Sequence, residues 1–238
     1  MPDTPIAADI AIRARKITLT LGNAAAPVSI LNGVDLDIAR GESLAILGAS
    51  GSGKSSLMAI LSGLERATSG EVMVAGVDFG ALDEDGLATA RRGRIGIVLQ
   101  SFHLLPTMTA QENVAVPLEL AGVDDAFGIA TRELAAVGLG HRTAHYPTQL
   151  SGGEQQRVAI ARAMAPAPAI IFADEPTGNL DGETGAAIID LLFARQAAPR
   201  ADGSRATLVI ITHDPGLAAR CDRIVEMRDG RILSDRRA

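Results

Sequence analysis

The chain is 238 residues long, 47% apolar and 21% charged, with a formal net charge of −6. That length holds one large domain or two small ones and buries roughly 70–75% of its unfolded surface, as befits a soluble globular composition. The acidic balance argues against broad nucleic-acid binding, the single Cys221 excludes an internal disulfide and suits a reducing cytoplasm, and no apolar run reaches the roughly 18 residues of a membrane span.

The opening stretch MPDTPIAADIAI carries Asp3 and Asp9 and no basic run, so it does not read as a secretory leader. Residues 10 to 40 alternate like exposed sheet, with Ile10 and Ile12, then Val34, Leu36 and Ile38, at period two. Gly22 to Pro27 between them reads as a loop. Glu42 to Leu47 (ESLAIL) is a short buried strand, and Leu57, Ile60, Leu61 and Leu64 then recur at helical spacing. Between strand and helix lie Gly48, Ala49, Ser50, Gly51, Ser52, Gly53, Lys54, Ser55 and Ser56, which fit G-x-x-x-x-G-K-[ST]. A strand, a glycine-rich turn and a helix N-terminus make an anion site, because unpaired N–H groups and the positive end of the helix dipole face the phosphates. Lys54 would reach the β- and γ-phosphates and the Ser55 hydroxyl would ligate Mg2+. The alternative is a glycine-rich turn that merely starts a helix. Lys16 and Lys54 are the only lysines among 22 cationic residues, so a compact ammonium at this one place suggests a specific demand that guanidinium does not meet.

Glu71 to Ala75 and Arg94 to Leu99 read as further strands, the second ending at Gln100. From Ser101 to about Ala165 the pattern turns helical. Thr109-x-x-Glu112 is a capping box opening a helix through Leu120, and a second helix covers Asp125 to Val137. Ser151 and Glu154, in YPTQLSGGEQQR, form a capping box for a helix through Ala163; the same two-glycine N-terminus would also bind phosphate. Arg157 and Arg162 on that helix fit a solvated face equally well. Ala169 to Ala173 (AIIFA) is an apolar strand ending at Asp174-Glu175. Ligands of α/β sheets sit at strand carboxyl ends, so one carboxylate there could hold Mg2+ and the next act as general base; a solvated strand end explains the pair as well. A helix from about Gly182 to Ala194, a polar loop Ala197 to Ser204, a buried strand Ala206 to Ile211 and then His213 follow. Asp214-Pro215 reads as N-cap and first residue of a short helix, and Arg223 to Met227, Asp229-Gly230 and Arg231 to Leu233 as a hairpin. Strands alternating with helices argue an α/β fold with a mostly parallel sheet covered on both faces.

GASGSGKS, Gln100, LSGGEQQR, the strand AIIFADEPTGNLD and His213, which come in the family's order along residues 42 to 214, resemble the ATP-binding-cassette ATPases. The resemblance covers essentially the whole chain. It implies a P-loop NTPase core of about residues 1–100 and 166–238, a helical subdomain of about 101–165 inserted in it, and an antiparallel β-subdomain at the N-terminus to which the last hairpin also belongs. It implies a head-to-tail homodimer closing two ATP molecules between subunits. Ser151, Gly152 and Gly153 would then meet the γ-phosphate held by the other copy's Lys54. Glu175 would be the general base, Asp174 and Ser55 would hold Mg2+, Gln100 would contact metal or water, His213 would bond the γ-phosphate, and Asp181 would cross the seam. Asp181 also suits a helix N-cap, and His213 a turn. One departure stands out: the family's adenine-stacking aromatic falls at about Leu21, and no aromatic residue precedes Phe79.

Within the family, QSFHLLPTMTAQENVAVPLELAG and ADEPTGNLD are similar to the branch of lipoprotein release, macrolide export and related extraction systems, with the YbbA type the closest likeness beside the LolD and MacB types. That implies a transmembrane permease partner docked on Gln100 to Val116, no membrane-spanning segment in the chain itself, and a place on the cytoplasmic face of the inner membrane. A cassette ATPase controlling a cell-wall or division machine, an import ATPase, and a soluble cassette of DNA repair or translation are the alternatives. The last usually carries a coiled-coil insertion or a second cassette, which this sequence lacks.

Overall fold

The computed structural model describes residues 10–22 and 26–238; the leader reading of residues 1–9 and the centre of the Gly22 to Pro27 loop, 23–25, lie outside them. In chain order the elements are β1 (Ile10–Leu21), β2 (Val28–Ala39), β3 (Ser43–Leu47), α1 (Lys54–Leu61), β4 (Ser69–Val74), β5 (Val77–Asp78), α2 (Glu84–Arg91), β6 (Ile95–Val98), α3 (Ala110–Leu120), α4 (Ala126–Ala136), α5 (Gly152–Met164), β7 (Ile170–Asp174), α6 (Gly182–Ala197), β8 (Thr207–Thr212), α7 (Pro215–Ala218), β9 (Arg223–Arg228) and β10 (Arg231–Arg237). Contacts group the described residues into two units, one within 10–90 with 207–238 and one of 91–206.

The first unit holds an antiparallel sheet of order β2-β1-β4-β5. Its alternating residues are not exposed on both sides: Ile12, Ala14, Ile17, Val34, Leu36 and Ile38 are buried, while Arg13, Arg15 and Asp37 pair on the other face. Beside it, β3 pairs in parallel with β8 and with β9, and β10 runs antiparallel to β9. Continuous burial along Ser43–Ile46 and Thr207–Thr212 is what parallel strands covered on both faces require. The C-terminal hairpin therefore extends the parallel strands and does not join the antiparallel sheet as the sequence suggested. A side-chain bond reaching across the strands fixes it there: Ser43 donates through N and Oγ to Asp222 Oδ2, at 2.8 and 2.7 Å.

Helix α1 ends at Leu61, with Ser62 as C-cap; Gly63 at φ 73 turns the chain away and Leu64 is exposed, so the apolar spacing overran the helix. Helix α2 was not legible, because Leu87 is its only buried residue and Gly86 interrupts it.

In the second unit β6 and β7 pair in parallel, with Val98 opposite Ala173. Helices α3, α4 and α5 share one apolar cluster containing Val114, Leu118, Ala130, Leu134, Leu150 and Val158. The two expected capping boxes are formed, at Thr109 with Glu112 and at Ser151 with Glu154. Among the described residues no helix is long and apolar enough to cross a membrane.

Candidate functional site

In the first unit the segment Gly48–Gly53 leaves the carboxyl end of β3 and enters α1. A Cβ on Gly48 would lie 2.4 Å from the Met227 carbonyl oxygen and 2.6 Å from Ser52 Oγ, so only glycine passes between β9 and the loop. Gly53 stands at the N-cap with φ 96, a left-handed conformation that costs glycine little. The loop is braced from the C-terminal hairpin, where Gly230 N–H donates to the Ser52 carbonyl at 3.1 Å.

Side-chain chemistry inside the loop favours an anion. Helices α3, α5, α6 and α7 each have a side-chain acceptor at the N-cap; α1 has none, and no acid in its first turn. Helix α4 lacks both as well, so what sets α1 apart is the glycine-rich turn before it, whose N–H groups together with the first-turn donors suit an anion. Lys54, only 8% exposed, donates its Nζ to the carbonyls of Gly48 and Ala49 at 2.8 and 2.9 Å, which holds the ammonium at the loop. Ser52 Oγ is buried without a hydrogen-bond partner. Ala49, Ser50, Gly51 and Ser55 are exposed, and Ser56 half-buried. His213 belongs to the same place: Leu47 pairs with Thr212, so Gly48 and His213 emerge side by side at the ends of β3 and β8. Leu21 ends β1 opposite Val28, at 46% and 56% exposure an apolar cross-strand pair.

In the second unit the register of Val98 with Ala173 brings Gln100 and the Asp174-Glu175 pair out together at the ends of β6 and β7. Glu175 has φ 43. A left-handed non-glycine residue directly before a proline is doubly disfavoured, and such positions cost on the order of 1–3 kcal/mol unless their surroundings fix them. Here the surroundings do. The Glu175 carbonyl accepts from Gly178 N–H at 3.0 Å, and Gln156, fully buried in α5, donates Nε2 to the Pro176 carbonyl at 2.7 Å. Asn179 Nδ2 donates to the Gln100 carbonyl at 2.8 Å, and a Cβ on Gly178 would fall 2.8 Å from Gln100 Nε2.

Ser151 and Asp181 are both helix caps. Ser151 Oγ accepts from Glu154 N–H, and Glu154 Oε2 accepts from Ser151 N–H at 2.8 Å. That backbone donor, aided by Arg142, holds the Glu154 carboxyl below the usual range. Asp181 accepts from Thr184 N–H at 2.9 Å, which lowers its carboxyl likewise. Gly152 faces Leu180 and Phe102, and a Cβ on Gly153 would meet Thr184 Cγ2 at 2.5 Å. Gly153 thus lets the start of α5 approach α6, while a Cβ on Gly152 would make only ordinary contact.

Sequence reading missed three participants. Gln156 looks like any polar helical residue, Asn179 like a turn residue, and Arg162 was open as solvated face. In fact Arg162 donates to the carbonyls of His103 and Phe102 at 2.6 and 2.8 Å.

With this geometry in hand, comparison places the chain among known proteins. Residues 31–178 match the family described as ABC transporter. The chain is 44% identical over 231 residues to the lipoprotein-releasing system ATP-binding protein LolD of Xanthomonas euvesicatoria pv. vesicatoria (strain 85-10), covering 96% of this chain and 93% of the relative. It is 48% identical over 218 residues to the uncharacterized ABC transporter ATP-binding protein YbbA of Escherichia coli (strain K12), covering 91% and 93%. Among solved structures, the dimeric post-hydrolysis state of the ATP-binding cassette MJ0796 bound to ADP and Pi superposes with a TM-score of 0.85 at 38% identity, over 95% of this chain and 98% of that one.

Proposed function

The chain belongs to the ABC transporter family and is one of its ATPases, and from that premise we propose that it is the ATP-hydrolysing subunit of an inner-membrane complex of the extraction type, driving a permease by closing as a homodimer on ATP. The observation that carries the chemistry is that each unit sets functional side chains at the carboxyl ends of its parallel strands: loop and His213 after β3 and β8 in the first, Gln100 and Asp174-Glu175 after β6 and β7 in the second. The extraction branch rests on the likeness to LolD, whose name specifies lipoprotein release, and to YbbA. The homodimer rests on the solved dimer of MJ0796.

In this reading residues of about 101–165 are a helical subdomain inserted in an α/β core of about 1–100 and 166–238. The N–H groups at Gly51 to Ser56 and the Lys54 ammonium bind the β- and γ-phosphates. His213 bonds the γ-phosphate, and Glu175 takes the proton of the attacking water. Mg2+ bound with the nucleotide supplies charge neutralisation on the phosphate oxygens. The donors available for it, the hydroxyl of Ser55, the carboxylate of Asp174 and the amide oxygen of Gln100, are the hard oxygens that this ion takes. Ser151, Gly152 and Gly153 present the start of α5 to the nucleotide of the other copy, where Asp181 lines the seam. The permease docks on Gln100 to Val116 and holds the ATPase at the cytoplasmic face.

The test is Glu175→Gln, expressed in the source cell and extracted in mild detergent with ATP. The variant should bind ATP, lose turnover by about 10²- to 10⁴-fold, and co-purify with a four-helix permease bearing a large extracytoplasmic domain. A multi-helix importer subunit would move the protein to uptake, absence of any membrane partner would sink the transporter reading, and near-normal turnover would remove Glu175 from its role.

A further inference from the structure

The turn that follows Gln100 is built in a way its own residues do not explain. Phe102 and His103 are consecutive non-glycine residues at φ 59 and φ 48, a conformation that single asparagines and glycines tolerate and that two bulky residues in succession do not. Neither the sequence around them nor their backbone bonds holds them there: the local bonds are Phe102 N–H to Leu99 O and His103 N–H to Ser101 O, each within the turn itself. The outside hold comes from α5. Arg162 Nη1 donates to the His103 carbonyl at 2.6 Å and Nη2 to the Phe102 carbonyl at 2.8 Å, one planar fork on two successive peptides. Burial draws this guanidinium below its ordinary pKa, and among the described residues no carboxylate offsets the cost. A cation kept in such surroundings for two carbonyls is committed to their position, because the same helix could have carried a shorter neutral residue there.

We propose that Arg162 is a positioning residue for ATP hydrolysis: its guanidinium fork sets the left-handed turn at Phe102 and His103, and through it the place of Gln100. The proposal rests on the role of Gln100 given above. It adds a second anchor to the one Asn179 provides at the Gln100 carbonyl. It also explains why an arginine is used. Two carbonyls on adjacent left-handed residues present two acceptors, which a fork meets in one geometry and a single ammonium does not.

The experiment is a double-mutant cycle on the purified full chain, reading steady-state ATP turnover and ATP affinity by isothermal titration for Gln100→Ala, Arg162→Met and the pair. Arg162→Met keeps the length and loses the fork. Expected are a fall in kcat on the order of 10- to 100-fold in each single variant, ATP affinity near that of the parent, and a double variant no slower than the slower single. Hydrogen exchange of the amides at 101–104 should rise in Arg162→Met while that of α5 does not. Should Arg162→Met not fold, Arg162→Lys carries the test, since it retains charge and stem; it should show the same loss, and parental turnover in it would overturn the proposal. Parental turnover in Arg162→Met, or losses that multiply in the double variant, would also overturn it, the latter by showing that Arg162 acts independently of Gln100. If Gln100→Ala itself turns over normally, the underlying role of Gln100 fails, and that result is distinct from the others.

Discussion

Gly178→Ala separates function from stability at one atom. The backbone of Gly178 is not in the left-handed region, so alanine suits it, and the loss of freedom in the unfolded chain favours the variant by about 0.4–1 kcal/mol. What the new Cβ meets is the end of a side chain: Gln100 Nε2 at 2.8 Å, Cδ at 3.3 Å and Cγ at 3.4 Å. Ordinary contact begins at 3.4 Å, so the amide nitrogen must retreat by at least 3.4 − 2.8 = 0.6 Å. A misplacement of about 1 Å in a catalytic constellation can cost about 10²-fold; a shift of this size should cost on the order of tenfold in kcat. The fold should hardly notice, with a thermal midpoint within about 4 °C of the parent, given about 2–4 °C per kcal/mol for a chain this long. Gly182→Ala is the control, since nothing lies within 4 Å of its Cβ. The assay is steady-state turnover with ATP affinity and melting measured on the same preparations. A Gly178→Ala protein that melts and turns over like the parent would refute the reasoning, because it would show that hydrolysis does not depend on where the Gln100 amide sits.

Lys54→Ala should abolish ATP binding in isothermal titration while the chain still folds; retained affinity would mean that the loop amides suffice. Gln156→Met keeps the volume but leaves the buried Pro176 carbonyl without its donor, which should destabilise by about 1–3 kcal/mol in urea and lower turnover at unchanged ATP affinity. A stability loss with normal kcat would make Gln156 a core residue and nothing more. Arg223 donates through Nε and Nη2 to both oxygens of Asp235, at 2.6 and 2.5 Å, and this pairing holds the Asp235 carboxyl below the ordinary range. A carboxyl depressed on folding adds stability that is complete above its unfolded pKa of about 4 and is lost as pH falls through the lower folded value. Asp235→Asn should therefore reduce stability at pH 7 and flatten the acid side of the stability curve; an acid limb of parental steepness would exclude the pair as its source.

Local chemistry was legible wherever one short stretch carried both its pattern and its partner. The capping boxes at Thr109 and Ser151 and the N-caps at Asp181 and Asp214 are satisfied within a few residues of themselves, and the strands β3, β7 and β8 show as unbroken apolar runs although their partner strands lie far along the chain. The phosphate loop is satisfied locally only in part, since Gly230 N–H braces its Ser52 carbonyl from the C-terminal hairpin. Gly48 is fixed by Met227, far along the chain. What escaped has its cause at a distance. Nothing near Arg223 says that β9 pairs in parallel with β3, and the hairpin was consequently assigned to the wrong sheet. Period alone carried α1 on to Leu64, although Gly63 at φ 73 had already ended it. The left-handed Glu175 runs against its own sequence, since a residue before proline prefers extended backbone. Local preference and observed geometry disagree there, at the proposed general base, which is where a strained site is expected to betray function.

The supports of that strain have a common form. In the second unit the Pro176 carbonyl is held by Gln156, the Gln100 carbonyl by Asn179, and the Phe102 and His103 carbonyls by Arg162. Each donor is a side chain and each acceptor a main-chain oxygen in another segment, so these bonds fix backbone. Two of the three donors stand on α5, six residues apart, and the N-terminus of that helix is Ser151 with its two glycines. A displacement of α5 is therefore applied to both turns at once. If closure of the homodimer on ATP presses on Ser151, the helix is a path from that contact to the backbone beside Gln100 and Glu175, and the apolar cluster that α5 shares with α3 and α4 through Val158 and Ala161 moves or yields with it.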